Sequence, residues 1–170
     1  VYKSSLSTDS DEWTELFNLD TQSINISGWT LLDVGNNFKY VFPSSTTISA
    51  KGYIVFHPKQ GADRTDWKGI KHYYDNSNRD WFTSTAGALS LFSDSVTLDT
   101  GTLEDFITFN TSASISNTSW DDTAVGAGIW SQNVAVSSAT GNNDLCIGLI
   151  TDGVDTNVAA NWTATDSPSE

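Results

Sequence analysis

Asp11-Glu12-Trp13-Thr14-Glu15-Leu16-Phe17-Asn18 and, shortly after it, Ile24-Asn25-Ile26-Ser27-Gly28-Trp29-Thr30-Leu31 are the two stretches that decide the expected fold. Both roughly alternate large apolar and polar side chains, which is the period of a half-buried β-strand. Gly28 interrupts the second stretch and, having no side chain, permits a close approach of the backbone. Trp13 and Trp29 would each bury a large apolar surface. These stretches therefore predict a β-sheet protein with an aromatic core.

More segments of the same kind follow along the chain. Strands are predicted at 38–42, 46–48, 53–56, 88–92, 95–98, 103–109, 127–136 and 145–150, with a tail over 151–170 anchored by Trp162. The period of two lapses between 57 and 84, where only a weak helix over 67–74 is indicated. About nine or ten short strands separated by turn signals predict a sandwich or a barrel. We expect one domain, residues 1–170.

The charge of the chain excludes two classes of partner. Its formal net charge is −13, and Lys and Arg together number only eight. Such a surface repels nucleic-acid phosphates and anionic membranes, which clustered basic residues are needed to bind. No apolar run approaches the roughly 20 residues of a membrane span. The sequence predicts no nucleic-acid partner and no membrane insertion. With a strand-like start at 1–3 and no signal peptide, it is expected to be a mature or excised piece.

Candidate catalytic residues are few and poorly placed. Cys146 lies in the apolar run 145–149, which is typical of a small buried side chain. Glu12 and Glu15 are separated by an odd offset, so they face opposite sides of a strand and cannot form an acid–base pair. We expect Glu15 to be a partly buried, hydrogen-bonded structural carboxylate. No Gly-x-Ser-x-Gly turn is present, and the sequence predicts that the protein is not an enzyme.

Metal binding is weakly indicated. The two histidines, His57 and His72, lie near several aspartates, but their spacing matches no zinc pattern, so we expect surface histidines on a long loop. Acidic turns offer oxygen ligands for calcium, although none spells an EF-hand loop. These turns lie at 9–11, 33–37, 121–122 and 152–155. The sequence predicts no cofactor, with structural calcium as the alternative.

The order of the motifs resembles the lamin tail domain family. Residues 11–18 are similar to its opening signature, and 24–31 are similar to its Gly-Trp-x-Leu step. The resemblance continues through Tyr40-Val41-Phe42-Pro43, Ile48, Gly52-Tyr53-Ile54-Val55 and Leu91-Phe92-Ser93-Asp94-Ser95-Val96-Thr97-Leu98, and it returns over 147–155. It implies an all-β, immunoglobulin-like β-sandwich with one long inserted loop. The signature covers 12–109, and C-terminal strands and a tail cover 110–170.

The resemblance also suggests a setting. Prokaryotic members of the family look like accessory domains on secreted or surface proteins, which implies an extracellular or cell-surface location. Two features depart from the family pattern: Asp94-Ser95 stands where Gly-Asp is common, and the region 57–84 is long. The basic surface of a nuclear lamin tail is missing, so chromatin contact is not carried over.

The segment 57–82 is the candidate contact surface. It holds five of the eight basic residues together with five aromatic residues, against an acidic remainder. Loops on a rigid scaffold often carry function, and aromatic residues beside Lys or Arg suit protein contacts. The predicted binding residues are Trp67, Lys68, Lys71, Tyr73 and Tyr74. We expect Trp81 and Phe82 to pack onto the sheet.

Two kinds of partner suit the segment 57–82. The first is a protein partner or a second copy of the chain, in an accessory or interaction role. The alternative is a carbohydrate-binding module, because β-sandwiches with exposed aromatic rings also stack on sugars. A flat platform of coplanar rings at Trp67 and Trp81 would favour sugar binding.

The period of two also predicts the core. The side chains expected to be mostly buried are Trp13, Leu16, Trp29, Leu31, Val41, Ile54, Val55, Leu91, Val96 and Ile107. If the ring of Trp29 were fully buried, its replacement by Ala would cost roughly 3–5 kcal/mol.

Overall fold

A computed structural model describes residues 2–3, 12–77, 81, 85–115, 119–138, 145–151 and 153–165 of the chain. Short strands dominate these residues, with one short helix and one 3-10 turn at Ala159–Asn161. In chain order the elements are β1 (Tyr2–Lys3), β2 (Thr14–Phe17), β3 (Ile24–Asn25), β4 (Thr30–Asp33), β5 (Phe38–Val41), β6 (Thr47–Ile48), β7 (Tyr53–His57), β8 (Arg64–Thr65), β9 (Lys71–Tyr74), β10 (Ala86–Phe92), β11 (Leu103–Asn110), α1 (Asp122–Gly126), β12 (Val136–Ser137), β13 (Leu145–Leu149) and β14 (Trp162–Thr165).

Two sheets form the body of the domain. One has five strands in the order β12-β11-β10-β4-β5, and the other has four in the order β2-β7-β9-β8. Their pairings are antiparallel except for β11 with β12 and β7 with β9. Side chains meet between the sheets: the rings of Tyr40 and Phe56 lie 4.6 Å apart, and those of Phe42 and Tyr73 lie 5.7 Å apart. The all-β, immunoglobulin-like sandwich is confirmed.

Two smaller sheets complete the structure. Strands β3 and β6 pair with each other, while β13 lies between β1 and β14. Ile147 of β13 is buried in the main core, and Trp162 of β14 packs against the same core. Cys146 is buried, as its apolar run predicted. The tail is therefore anchored by Trp162 as expected.

The burial of the predicted core residues is uneven. Leu31, Ile54, Val55 and Ile107 are buried, and Trp13, Leu16, Trp29 and Leu91 are partly buried. The expectation is wrong for Val41, which is 46% exposed, and for Val96, which is 87% exposed. Because Phe38 and Tyr40 of β5 point inward, the strand period itself turns Val41 outward.

The segment 95–98 is a loop, and the strand predicted there is wrong. The carboxylate of Asp94 accepts hydrogen bonds from the backbone N–H groups of Ser95 and Val96. The hydroxyl of Thr102 donates to the carbonyl oxygen of Thr97. These side-chain bonds occupy backbone groups that a sheet ladder would need, which is how Asp and Thr compete with regular structure.

Two further element predictions are also wrong. The segment 127–136 was predicted to be one strand, yet only Val136 belongs to a strand, and the short helix α1 precedes the segment. The weak helix over 67–74 is replaced by β9, which pairs in parallel with β7. Parallel pairing with a distant segment supplies the backbone hydrogen bonds that no local pattern signals. No helix among the described residues is long and apolar enough to cross a membrane.

Of the two glutamates in the opening signature, the structure buries Glu12 and not Glu15. Glu15 is exposed, whereas Glu12 is 2% exposed, so the predicted partial burial of Glu15 is wrong. A carboxylate oxygen of Glu12 accepts the backbone N–H of Trp81 at 2.8 Å. Thr14, two residues after Glu12, is also buried. Alternate residues of an extended segment face the same side, so the even-numbered positions here face inward. The buried carboxylate thus holds the end of the segment 57–82 against the core.

Replacing Trp29 by Ala should destabilise the domain less than its signature position suggests. The ring is only partly buried, although it packs against the core. We expect a loss of roughly 1–3 kcal/mol, below the range for a fully buried ring. Urea denaturation of the two proteins measures this difference. A loss as large as that of a fully buried tryptophan would contradict the partial burial.

Candidate interaction site

The segment 57–82 contains a β-hairpin, residues 64–74, which we call the hairpin. Its two strands, β8 and β9, form one edge of the four-stranded sheet. Asp66 shapes the turn between them, because its carboxylate accepts the N–H groups of Lys68 and Ile70, both at 2.9 Å. Gly69 takes the left-handed conformation that the turn requires, with φ of +84°. The tip of the hairpin is therefore a well-defined turn.

Trp67 and Lys68 occupy this tip. The side chain of Trp67 is 89% exposed, which is unusual for the largest apolar side chain. The ammonium group of Lys68 lies 5.2 Å from the centre of the Trp67 ring, within the range of a cation–π contact. The structure thus brings together two of the five predicted binding residues and presents them to solvent.

The other three predicted residues lie along β9 and differ in accessibility. Lys71 and Tyr74 are partly buried. Tyr73 is 7% exposed and packs edge-on against Phe42, so its expected exposure is wrong. Tyr73 lies opposite Phe56 in the parallel pair, on the inward face of the sheet. Its ring belongs to the core and cannot reach a partner.

Tyr74 lies on the opposite face of the sheet from Tyr73. Its ring lies nearly parallel to that of His57, with centroids 4.7 Å apart. The Nε of Arg64 donates to its hydroxyl at 3.2 Å, and its backbone N–H donates to the carboxylate of Asp63. These contacts join both strands of the hairpin to β7.

The two histidines, predicted to be surface residues on a long loop, lie in strands β7 and β9 and contact each other. Nε2 of His57 lies 2.9 Å from Nδ1 of His72, and Nε2 of His72 lies 3.5 Å from the carboxylate of Asp66. Both rings are partly buried. Period-two positions in β7 and β9 put them on one face, but the parallel pairing of these strands is not visible in the sequence.

Asp66 is the electrostatic centre of the tip. Desolvation raises the pKa of its carboxyl group, but hydrogen bonds from Ile70, His72 and Lys68 outweigh this effect and leave the pKa below its ordinary value. Asp66 is therefore ionised at neutral pH. Its charge favours the turn that carries Trp67.

The acidic turns differ in how far their oxygens are already used. Asp33 accepts hydrogen bonds from the backbone N–H groups of Gly35 and Asn36 and from the side chain of Asn36. Burial nevertheless raises its pKa above the ordinary value. Residues 9–11 and Asp152 lie outside the described residues. Within the described part of the chain, no three His, Cys, Asp or Glu residues converge on one metal position. Structural calcium stays a prediction.

Trp81 packs into the core, as the sequence predicted. It is 1% exposed, and its ring lies 4.9 Å from that of Phe56. Phe82 lies outside the described residues. With Trp81 buried, Trp67 and Trp81 do not form a flat two-ring platform.

The chain is a two-sheet, immunoglobulin-like β-sandwich domain, and a hairpin at the edge of one sheet presents an exposed tryptophan. The family model described as Lamin Tail Domain matches residues 1–143, and the chain belongs to this family. Domains of this family are generally non-catalytic protein-interaction modules. Neither a search of curated proteins nor a search of solved structures found a match. Because β13 and β14 lie beyond residue 143 and pack on the same core, we retain one domain over 1–170 as a prediction.

Proposed function

We propose that this chain is a non-catalytic interaction domain of a larger secreted or cell-surface protein, and that the tip of the hairpin contacts its partner. The observation that carries this proposal is Trp67, 89% exposed beside the ammonium group of Lys68. Exposed tryptophan is enriched at the energetic centres of protein interfaces.

The charge distribution supports an acidic protein surface as the partner. Five of the eight Lys and Arg residues lie within 57–82, while the whole chain carries a net charge of −13. The hairpin carries Arg64, Lys68 and Lys71 against a single carboxylate, Asp66, so it is a basic region on an acidic body. Charge complementarity steers association and selects partners. A second copy of this chain offers such an acidic surface, so self-association belongs to the same proposal.

Site-specific photocross-linking in the intact protein tests the tip. A photoreactive phenylalanine analogue replaces Trp67 in one version and Val96 in a matched control, since Val96 is 87% exposed on a loop outside the hairpin. We expect cross-links to a protein or to a second copy from position 67 and none from position 96. Equal cross-linking from both positions, or none from position 67, would overturn the proposal.

Charge reversal gives a quantitative prediction. Replacing Trp67 by Ala together with Lys68 and Lys71 by Glu should weaken self-association or partner binding at least tenfold, about 1.4 kcal/mol, because it removes the apolar contact and reverses the charge. Analytical ultracentrifugation and binding to the cross-linked partner measure this loss. The control is Val96→Ala, which should leave both unchanged. Unchanged association of the triple variant at matched fold stability would contradict the prediction.

Carbohydrate binding is the alternative function, and the exposed indole of Trp67 is the observation in its favour. The burial of Trp81 removes the two-ring platform that would have favoured it. Affinity electrophoresis in gels containing polysaccharides separates the two functions. Retardation that disappears in Trp67→Ala would support sugar binding, and the absence of retardation leaves the protein partner as the function.

A further inference from the structure

The contact between His57 and His72 is a head-to-head hydrogen bond. The facing nitrogens are 2.9 Å apart, the ring planes differ by 13°, and the centroids are 5.2 Å apart. The centroid separation exceeds the nitrogen separation by roughly the width of one ring, so the rings meet edge to edge instead of face to face. This is the alignment of an N–H group pointing along the lone pair of the facing nitrogen. The two nitrogens point at each other and not at a common metal position.

Such a bond tolerates only one proton between the two rings. A neutral imidazole has one N–H donor and one acceptor nitrogen, whereas a protonated imidazole has two donors and no acceptor. If both His57 and His72 were protonated, two N–H groups and two positive charges would face each other. The hydrogen bond would then be replaced by repulsion.

The bond is one link of a chain that ends at the tip. His72 uses its other nitrogen toward the carboxylate of Asp66, and Asp66 in turn holds the N–H groups of Lys68 and Ile70. The arrangement that satisfies each contact has His57 donating to His72 and His72 donating to Asp66. The chain therefore connects β7, in the centre of the sheet, with the turn that presents Trp67.

The face of the sheet that carries the pair also carries other titratable residues. The strand register places Glu15, Arg64 and Tyr74 on this face. Asp66 lies in the turn, Lys59 follows β7 and Asp63 precedes β8, while Lys71 shares the opposite face with Tyr73. Asp66 is the carboxylate in contact with the pair, 3.5 Å from Nε2 of His72. The repulsion between the two rings opposes a second proton.

We propose that uptake of a second proton by the His57–His72 pair breaks this chain and loosens the hairpin, so that the partner-binding tip is ordered at neutral pH and released in acid. This inference rests on the proposed function only for its biological consequence. The structural step concerns the hairpin alone. Imidazole groups exchange protons between about pH 5 and 8, so the transition falls in a range that extracellular and endosomal compartments reach.

Proton linkage determines the sign of the effect. When the hairpin is open, each of the two rings can take up an additional proton in acid. The closed, hydrogen-bonded pair accepts only one additional proton. The open state therefore binds more protons, and the stability of the closed hairpin falls as the pH falls. Asp66 acts in the same direction, because its lowered pKa means that stability is lost when it is protonated.

Amide hydrogen exchange of the full chain at about pH 7.5 and about pH 5, corrected for the intrinsic pH dependence, tests this inference. We expect protection of the backbone amides of 64–74 to fall about tenfold or more in acid, while the amides of β10 and β11 keep or gain protection. In His57→Gln, whose side chain cannot be protonated in this range, the pH response of the hairpin should disappear. Unchanged protection in the parent, or an equal response in His57→Gln, would overturn the inference.

The two proposals fail separately. If the hairpin opens in acid but position 67 forms no cross-links at neutral pH, the proposed function is wrong and the proton-controlled hairpin stands. If cross-links form equally at both pH values and exchange does not change, the reverse holds. His72→Gln provides a second variant in case His57→Gln does not fold.

Discussion

Replacing Trp81 by Ala should lower the free energy of unfolding by roughly 3–5 kcal/mol, the largest effect that we expect from any single tryptophan. The ring is 1% exposed and packs against the rings of Phe38 and Phe56. Its indole N–H also donates to the carboxylate of Asp75 at 3.2 Å. The substitution removes both the packing and this hydrogen bond. Urea denaturation followed by circular dichroism measures the change.

Trp67 is the matched control for Trp81, since both are tryptophans of the segment 57–82. Because Trp67 is 89% exposed, Trp67→Ala should change stability by no more than about 0.5 kcal/mol. Trp81→Phe should lie between the two, since it retains most of the packing and loses the indole donor. Similar shifts for the two alanine variants would show that the assignment of one ring to the core and the other to the tip is wrong.

Replacing Asp105 by Asn should stabilise the domain at pH 8 by roughly 1–3 kcal/mol. Asp105 lies on β11 and lines a cavity of about 50 Å³ between the two sheets, together with Thr14 and Trp162. Burial, followed by the negative charge of Asp155, raises its pKa to about 7. A hydrogen bond from the N–H of Phe106 opposes this shift but does not cancel it.

The direction of the pH dependence follows from the raised pKa of Asp105. An unfolded aspartate has a pKa of about 3.9, so between roughly pH 4 and 7 the folded state binds the extra proton. The contribution of Asp105 to stability is therefore fully present below pH 4 and is lost as the pH rises toward 7. The advantage of Asp105→Asn should be largest at pH 8 and shrink toward pH 4.

Denaturation midpoints of the Asp105 variant across this pH range test the effect. Glu104→Gln is the control, because Glu104 is the exposed neighbour of Asp105 on the same strand. It should give a nearly constant difference from the parent at all pH values. A difference for Asp105→Asn that does not change with pH would mean that the pKa of Asp105 is the same in the folded and the unfolded protein.

The residue composition of the candidate segment was visible in the sequence, but the arrangement of its side chains was not. The failure of the strand period after residue 57 and the concentration of basic and aromatic residues there pointed to the segment that carries the exposed Trp67. The sequence assigned Trp81 to the core and Trp67 to the surface, but it misplaced Tyr73, whose burial depends on what faces it across the sheet. Tyr73 was expected at the surface, and the pairing of β9 with β7 turns it into the core.

Local physics also explains why one predicted strand formed and another did not. Residues 103–110 form a strand as expected, and this strand pairs with β10. Residues 95–98 have a comparable alternation, yet the carboxylate of Asp94 captures the backbone N–H groups there. Alternation is a necessary signal for a half-buried strand, but it does not reveal competition from a neighbouring polar side chain.

By itself the sequence determined the class of the fold and the position of most strands, because the period of two and the turn residues act over a few neighbours along the chain. It also determined the acidic surface and the basic segment, since these follow from composition. Only the tertiary structure decided that Glu12 and not Glu15 is buried and that a hydrogen bond joins His57 to His72. The reason is that the pairing of strands distant in sequence determines which side chains face each other. The register of this pairing cannot be predicted from any single segment.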